Sequence, residues 1–347
     1  MSPYVLSILL SSLSLGTMLM FISNHWFLAW MGLEINTLAI IPLMTKPHHP
    51  RAIEASIKYF LIQASASALI LFSSTINAWF TGEWTIINIQ PHLPAILLTI
   101  ALSMKLGIAP FHLWVPDVLQ GLSLLTCLIL STWQKLAPMT LLIMTHHLLN
   151  SDMLIIMALL STLIGGWGGL NQTQLRKIMA YSSIAHMGWM ILILSFLPHL
   201  MMMNLFIYLL MTLCMFMMLM HFNSLNINKL TLSWIKNPLM TSMMMITLMS
   251  LGGLPPTSGF IPKWIIIQEI TKQNLMIMAS LMALSALLSL FFYLRLSYAV
   301  SLTSSPNMSN SKLYWRFKNF IPNPLPLTII MSNMLLPITP LMINLFL

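Results

Sequence analysis

Residues 93–118 read LPAILLTIALSMKLGIAPFHLWVPDV. The stretch is long and apolar enough to cross a bilayer, which takes about 20 residues of helix. It nevertheless carries a lysine near its middle, Lys105, and a glycine and a proline just beyond, Gly107 and Pro110. Pro110 has no N–H to offer the carbonyl of Leu106, and its ring crowds that turn, so an interrupted helix is expected there. Irregular backbone at membrane depth is tolerated only where protein or water covers it. This segment therefore predicts a broken membrane helix, covered by others, with a charge that insertion does not need.

The rest of the chain has the same character. Of 347 residues, 58% are hydrophobic and 6% charged, with a mean hydropathy of +0.87. A soluble domain carries about 25% charged residues. In lipid, backbone polar groups must be satisfied within the segment, so long apolar runs become helices, and the alternation of a β-barrel is not seen. The expectation is an all-α polytopic membrane protein of about 11 transmembrane helices, at 3–22, 24–45, 53–79, 93–118, 121–145, 152–170, 174–197, 199–222, 239–272, 275–301 and 325–346. The first begins without a charged leader or cleavage site, so no removable signal is expected. The longest connections, 80–92, 223–238 and 302–324, are too short for a soluble domain.

A net charge of +9 raises nucleic acid as a partner, but the cations are scattered among short loops, which argues against it. Lys46, Arg51, Arg176, Lys177, Lys229, Lys236, Lys312, Arg316 and Lys318 all sort to the side of the N-terminus. The other side receives little beyond Lys272, with Glu83 and Asp152. The asymmetry follows the positive-inside rule, favours an odd span count and sets the N-terminus towards the negative compartment. Cys127 and Cys214 lie in apolar segments without Cys or His at ligand spacing, so no metal is expected and two buried thiols are.

The ninth span is broken too, at Gly252-Gly253-Leu-Pro255-Pro256-Thr-Ser-Gly259. The fourth and ninth spans lie five apart and so run in opposite directions. Paired Gly/Pro breaks of this kind suggest inverted repeats. The first five spans, about 3–145, would form one repeat and the next five, about 152–301, the other. An extra C-terminal helix, about 325–346, completes a single domain over 1–347.

Glu34, Lys105, Lys135 and Lys263 stand far from span ends, and His186 lies midway along the seventh span. A charge at mid-bilayer costs about 2.5–3.5 kcal/mol, so four cost on the order of 10 kcal/mol. Snorkelling suits Lys58 and Arg295 near the basic side, but suits Lys105 and Lys135 poorly, with roughly ten residues of helix on either side. Removed from water, a lysine gives up its proton more readily, and a carboxylate nearby opposes this. A Glu–Lys pair is thus a switch, and successive lysines are stepping stones. His186 titrates near neutrality and would relay, or is a neutral imidazole bonded between helices. Gly165-Gly166-Trp167-Gly168-Gly169 and the face from Ala64 to Ala68 read as close helix packing. Glu54 and Lys58, at i,i+4 spacing, are expected to pair locally. His48-His49 and His146-His147 are expected to be solvated in loops.

Three stretches carry a family likeness: Lys105-Leu-Gly-Ile-Ala-Pro-Phe-His-Leu-Trp-Val-Pro-Asp117, Ala180-Tyr-Ser-Ser-Ile-Ala-His186-Met-Gly188, and Leu254-Pro-Pro-Thr-Ser-Gly-Phe-Ile-Pro-Lys263. Over nearly the whole chain the sequence resembles the proton-conducting membrane chains of respiratory NADH–ubiquinone oxidoreductase (complex I), which are related to multisubunit sodium/proton antiporters. With 33 methionines and this length, it is similar to vertebrate mitochondrial members. It departs from the wider family by starting three helices late, and by lysine at 263 where some siblings have glutamate. The resemblance implies Glu34 and Lys105 as the switch pair, Lys135 as central relay and Lys263 as exit-side carrier. It also implies the mitochondrial inner membrane, with the N-terminus in the matrix and the C-terminus in the intermembrane space. The implied partners are other complex I membrane-arm subunits and lipids, with no nucleic acid. NADH, FMN, iron–sulfur clusters and ubiquinone would serve the complex, with no cofactor bound by this chain. The competing readings are a free-standing sodium/proton antiporter and a purely structural helix scaffold.

Overall fold

The apolar runs fold as helices whose ends follow local capping chemistry. A computed structural model of the chain describes residues 2–89, 92–302 and 324–346; Lys312, Arg316 and Lys318 lie outside them. The helices are α1 (Pro3–Ile22), α2 (Trp26–Thr45), α3 (Pro50–Thr81), α4 (His92–Leu106), α5 (Trp114–Gly121), α6 (Leu124–Ser131), α7 (Trp133–Thr145), α8 (Ser151–Gly169), α9 (Leu175–Leu194), α10 (Pro198–Phe222), α11 (Ile227–Thr231), α12 (Ser233–Lys236), α13 (Pro238–Gly252), α14 (Phe260–Lys272), α15 (Met276–Leu302), α16 (Leu325–Asn333) and α17 (Leu335–Phe346). No strand occurs among the described residues. Among the described residues, eight helical stretches are long and apolar enough to cross a membrane: α1, α2, α3, Leu124–Leu148, α8, α9, α10 and α15.

Caps set several boundaries. α3 starts three residues ahead of the expected 53 because Pro50 suits the first helical turn and His49 Nδ1 accepts from Arg51 N at 3.2 Å. His49 is exposed, as expected, but it has a partner and serves as a cap. His146 is also engaged: its Nδ1 lies 2.8 Å from the carbonyl of Ile143, and its ring packs edge-on to His147. The expected small-residue face on α3 is displaced: Ala66 and Ser67 are buried, whereas Ala68 is exposed. The buried side continues from them through Gln63 and Ile70, one helical turn away on either side.

Both expected breaks occur, and in the fourth span the cause differs from the proline-led expectation. α4 ends at Leu106 because Gly107 takes φ +72°. Gly107 N then donates to Met104 O and Ile108 N to Ser103 O, the Schellman arrangement. Pro110 lies beyond a helix that glycine has already closed. α13 ends the same way: Gly253 takes φ +81°, its N–H donates to Ser250 O, and Leu254 N donates to Met249 O. Two further breaks were not expected: the apolar run 121–145 divides at Thr132, where α6 gives way to α7, and the C-terminal run divides at Met334.

The chain forms two compact units, residues 1–161 with 194–198 and residues 162–193 with 199–347. In the first, α3 packs on α2, α4 and α5, and α7 touches α1, α2 and α4. In the second, α15 packs on α11, α13 and α14, and α16 on α13. The glycine cluster packs as expected: an added Cβ on Gly165 would crowd Ala185, on Gly166 Leu288, on Gly168 Tyr181 and on Gly169 Phe292. The C-terminal helix is joined to the second break, since Ser258 Oγ donates to Ser332 O at 2.7 Å.

Candidate functional site

In the first unit, Lys105 stands in the last turn of α4, one residue before the helix end, and is only 5% exposed. Its Nζ has no hydrogen-bond partner among the described residues, and neither has the buried Oε2 of Glu34. Glu34, half-buried on α2, lies within electrostatic range of Lys105 and of Tyr59, but makes no ion pair with the lysine. Glu34 and Lys105 are thus neighbours in the electrostatic sense, with no ion pair or hydrogen bond between them. Gln63 Nε2 donates to the carbonyl of Lys105 at 3.3 Å, and Trp114 Nε1 to that of Met104 at 3.1 Å. Two side chains from α3 and α5 therefore fix the turn that carries the lysine. Tyr59 packs edge-on against Trp114, with ring centroids 5.7 Å apart.

Lys135 is 7% exposed in the first turn of α7. The break at Thr132 places it at a helix start inside the apolar run. Its neighbour Gln134 donates to Asn36 O at 3.3 Å, which ties α7 to the turn of α2 after Glu34.

In the second unit, His186 on α9 and Lys263 on α14 line one cavity of about 10 Å³, closed by Asn204, Tyr208 and Met211 of α10. That volume is about one water molecule. His186 and Tyr208 have ring centroids 5.4 Å apart. Lys263 Nζ donates to Gly252 O at 2.9 Å and Leu251 O at 3.4 Å.

The other charges are accounted for by ordinary contacts. Lys58 pairs with Glu54 at 2.9 Å as expected, and also with Asp117 at 3.3 Å, around an open polar cleft of about 200 Å³. Arg295 does not snorkel freely, because its guanidinium donates to the carbonyls of Leu170 and Gln172. Cys127 and Cys214 are buried thiols, and no cluster of three metal-ligating side chains occurs among the described residues. Sequence reasoning did not single out Tyr59, Gln63, His112, Asn204 or Tyr208. All five are buried, four of them in helices, and none carries a mid-membrane formal charge to mark it.

Residues 23–289 match the family model described as "NADH:quinone oxidoreductase/Mrp antiporter, TM", and residues 290–343 that of "NADH dehydrogenase subunit 2 C-terminus". NADH-ubiquinone oxidoreductase chain 2 of Xenopus laevis is 61% identical over 342 residues, covering 98% of this chain and 99% of the relative. That of Squalus acanthias is 59% identical over 341 residues, 98% of each chain. Among solved structures, a chain of respiratory complex I from Thermus thermophilus with bound aureothin superposes with a TM-score of 0.86. It is 27% identical, with 99% of this chain and 80% of that one covered. By these matches over nearly its full length, the chain belongs to the NADH:quinone oxidoreductase/Mrp antiporter membrane family and, within it, to the NADH-ubiquinone oxidoreductase chain 2 proteins.

Proposed function

We propose that the chain is a core membrane-arm subunit of respiratory complex I in the mitochondrial inner membrane. It takes part in moving protons across that membrane, coupled to electron transfer from NADH to ubiquinone. The observation that carries this reading is the burial of three lysines, Lys105, Lys135 and Lys263, at 5%, 7% and 9% exposure, inside an apolar helical protein. Fully buried lysines are rare unless they have a task, and intramembrane ones mark ion paths.

Glu34 and Lys105 act as the switch pair, Lys135 as the central relay, His186 as a relay group and Lys263 as the exit-side carrier. Separation of Glu34 from Lys105 supports a switch, because the field of the carboxylate on the ammonium changes steeply with small movements at low dielectric. The cavity shared by His186 and Lys263 supports transfer between them through a water. Redox chemistry belongs to other chains. NADH, FMN, iron–sulfur clusters and ubiquinone serve the complex, and this chain holds none of them. Neighbouring membrane-arm subunits and lipids cover its exposed apolar faces.

The chain crosses the membrane eleven times as one domain. Eight long helices and three interrupted ones (α4 with α5, α13 with α14, α16 with α17) support that number. Identical Schellman ends on α4 and α13 support two inverted five-helix repeats. Loop charges support an N-terminus in the matrix and a C-terminus in the intermembrane space. The deciding experiment measures proton pumping and NADH–ubiquinone turnover in membranes carrying Lys105→Ala or Lys135→Ala, normalised to assembled complex. Loss of both activities is expected. Parental pumping by both variants would make the lysines structural. Recovery of the chain outside a large assembly would instead favour a free-standing antiporter.

A further inference from the structure

Lys263 differs from Lys105 in what balances its charge. The three ion pairs among the described residues do not include it. Its Nζ donates instead to Gly252 O and Leu251 O. These carbonyls close α13, where the aligned peptide dipoles leave a partial negative charge of about half an electron. The Schellman bonds of Gly253 and Leu254 occupy the carbonyls of Ser250 and Met249, which leaves those of Leu251 and Gly252 for the ammonium. The arrangement depends on Gly253. Its φ of +81° turns the chain out of the helix, and an added Cβ would lie 3.0 Å from both Nζ and Cδ of Lys263. In the first unit the same helix end carries Lys105 within its own last turn, in the field of Glu34.

We propose that Gly253 is a positioning residue of the proton relay: it aims the end of α13 at Lys263, so that the Leu251 and Gly252 carbonyls serve Lys263 as Glu34 serves Lys105. The inference rests on the relay reading above. The seat consists of acceptors only, so it selects a cation. It holds the protonated lysine and loses its grip when the proton leaves, which frees the side chain to turn into the cavity it shares with His186.

The test compares Gly253→Asn with Gly82→Asn in the assembled complex. Asparagine enters the left-handed region more readily than other side chains, so the helix end is retained while its Cβ intrudes on Lys263. Gly82 has a similar φ of +75° with nothing within 4 Å of an added Cβ, so its variant carries the backbone cost alone. Gly253→Asn is expected to slow pumping about tenfold and to move the alkaline limb of the pH–turnover profile about one unit towards acid. Gly82→Asn is expected to match the parent. A parental rate and profile in Gly253→Asn, or a loss equal to that of Gly82→Asn with an unmoved profile, would overturn the proposal. Should Gly253→Asn not assemble, Lys263→Glu decides: a carboxylate facing carbonyl oxygens is expected to cut pumping at least about tenfold, and parental pumping would overturn the seat. Lys263→Ala separates the two readings. If it pumps like the parent, the relay reading itself fails. If it stops pumping while Gly253→Asn and Lys263→Glu do not, only the seat fails.

Discussion

Lys58 and Lys105 are the same side chain in opposite settings, and burial makes the difference. Lys58 is 44% exposed and shares two carboxylates with water, so its pairing is screened and contributes little. Lys105 is enclosed, with its Nζ unbonded among the described residues. Lys105→Ala is therefore expected to stop pumping in membranes where Lys58→Ala pumps at the parental rate. Equal pumping by the two would show that burial is irrelevant. Gln63 supplies a second residue-scale prediction. Gln63→Leu keeps the packing volume but removes the donor to the Lys105 carbonyl. One such bond contributes about 1 kcal/mol net, so turnover is expected to fall several-fold with assembly intact, read as NADH–ubiquinone activity per assembled complex. The lysines were legible in the sequence because charge inside an apolar run is conspicuous. Gln63 was not, because an amide on a helix acquires its meaning only from the neighbour it touches.

The breaks in the helices belong to the scale of the element. Gly and Pro spacing located both at the right place, but in the fourth span Pro110 was credited with what Gly107 does. At Gly107 the chain has already left the helix with φ +72°, a conformation that costs a residue with a Cβ about 1–2 kcal/mol. An added Cβ would also overlap Val115 Cγ2. Gly107→Ala is expected to lower the amount of assembled complex on native gels, and adding Val115→Ala is expected to restore part of it by clearing the overlap. No recovery in the double variant would mean that the steric contact is unimportant. The break at Thr132 left no comparable mark, since Ser131-Thr132-Trp133 contains neither glycine nor proline. Thr132 Oγ1 donates to Leu128 O at 2.7 Å, a local bond that bends a helix.

For the whole molecule, loop charge makes the testable statement. Loops at Lys46, Arg176 and Lys229 are expected to share the matrix side, with Glu83 and Asp152 opposite. Cysteine labelling in sealed inner-membrane vesicles checks this, and opposite labelling of the Arg176 and Lys229 loops would sink the eleven-span topology. The purified single chain is also expected to bind no stoichiometric flavin and oxidise no NADH, which absorbance and activity measurements decide.

Hydropathy and loop charge, both readable one residue at a time, determined that this is a helical membrane protein and which of its charges are costly. Those properties are set by transfer from water to lipid and need no partner residue. Only the tertiary structure decided what balances each charge. Glu34 reaches Lys105 by field alone, Gln63 holds the Lys105 turn, His186 and Lys263 share a cavity, and the end of α13 holds Lys263. Each of these contacts joins different helices or the two sides of a break. Periodicity along one helix does not encode which backbone carbonyl or amide from another segment will arrive beside a given side chain, and packing settles it.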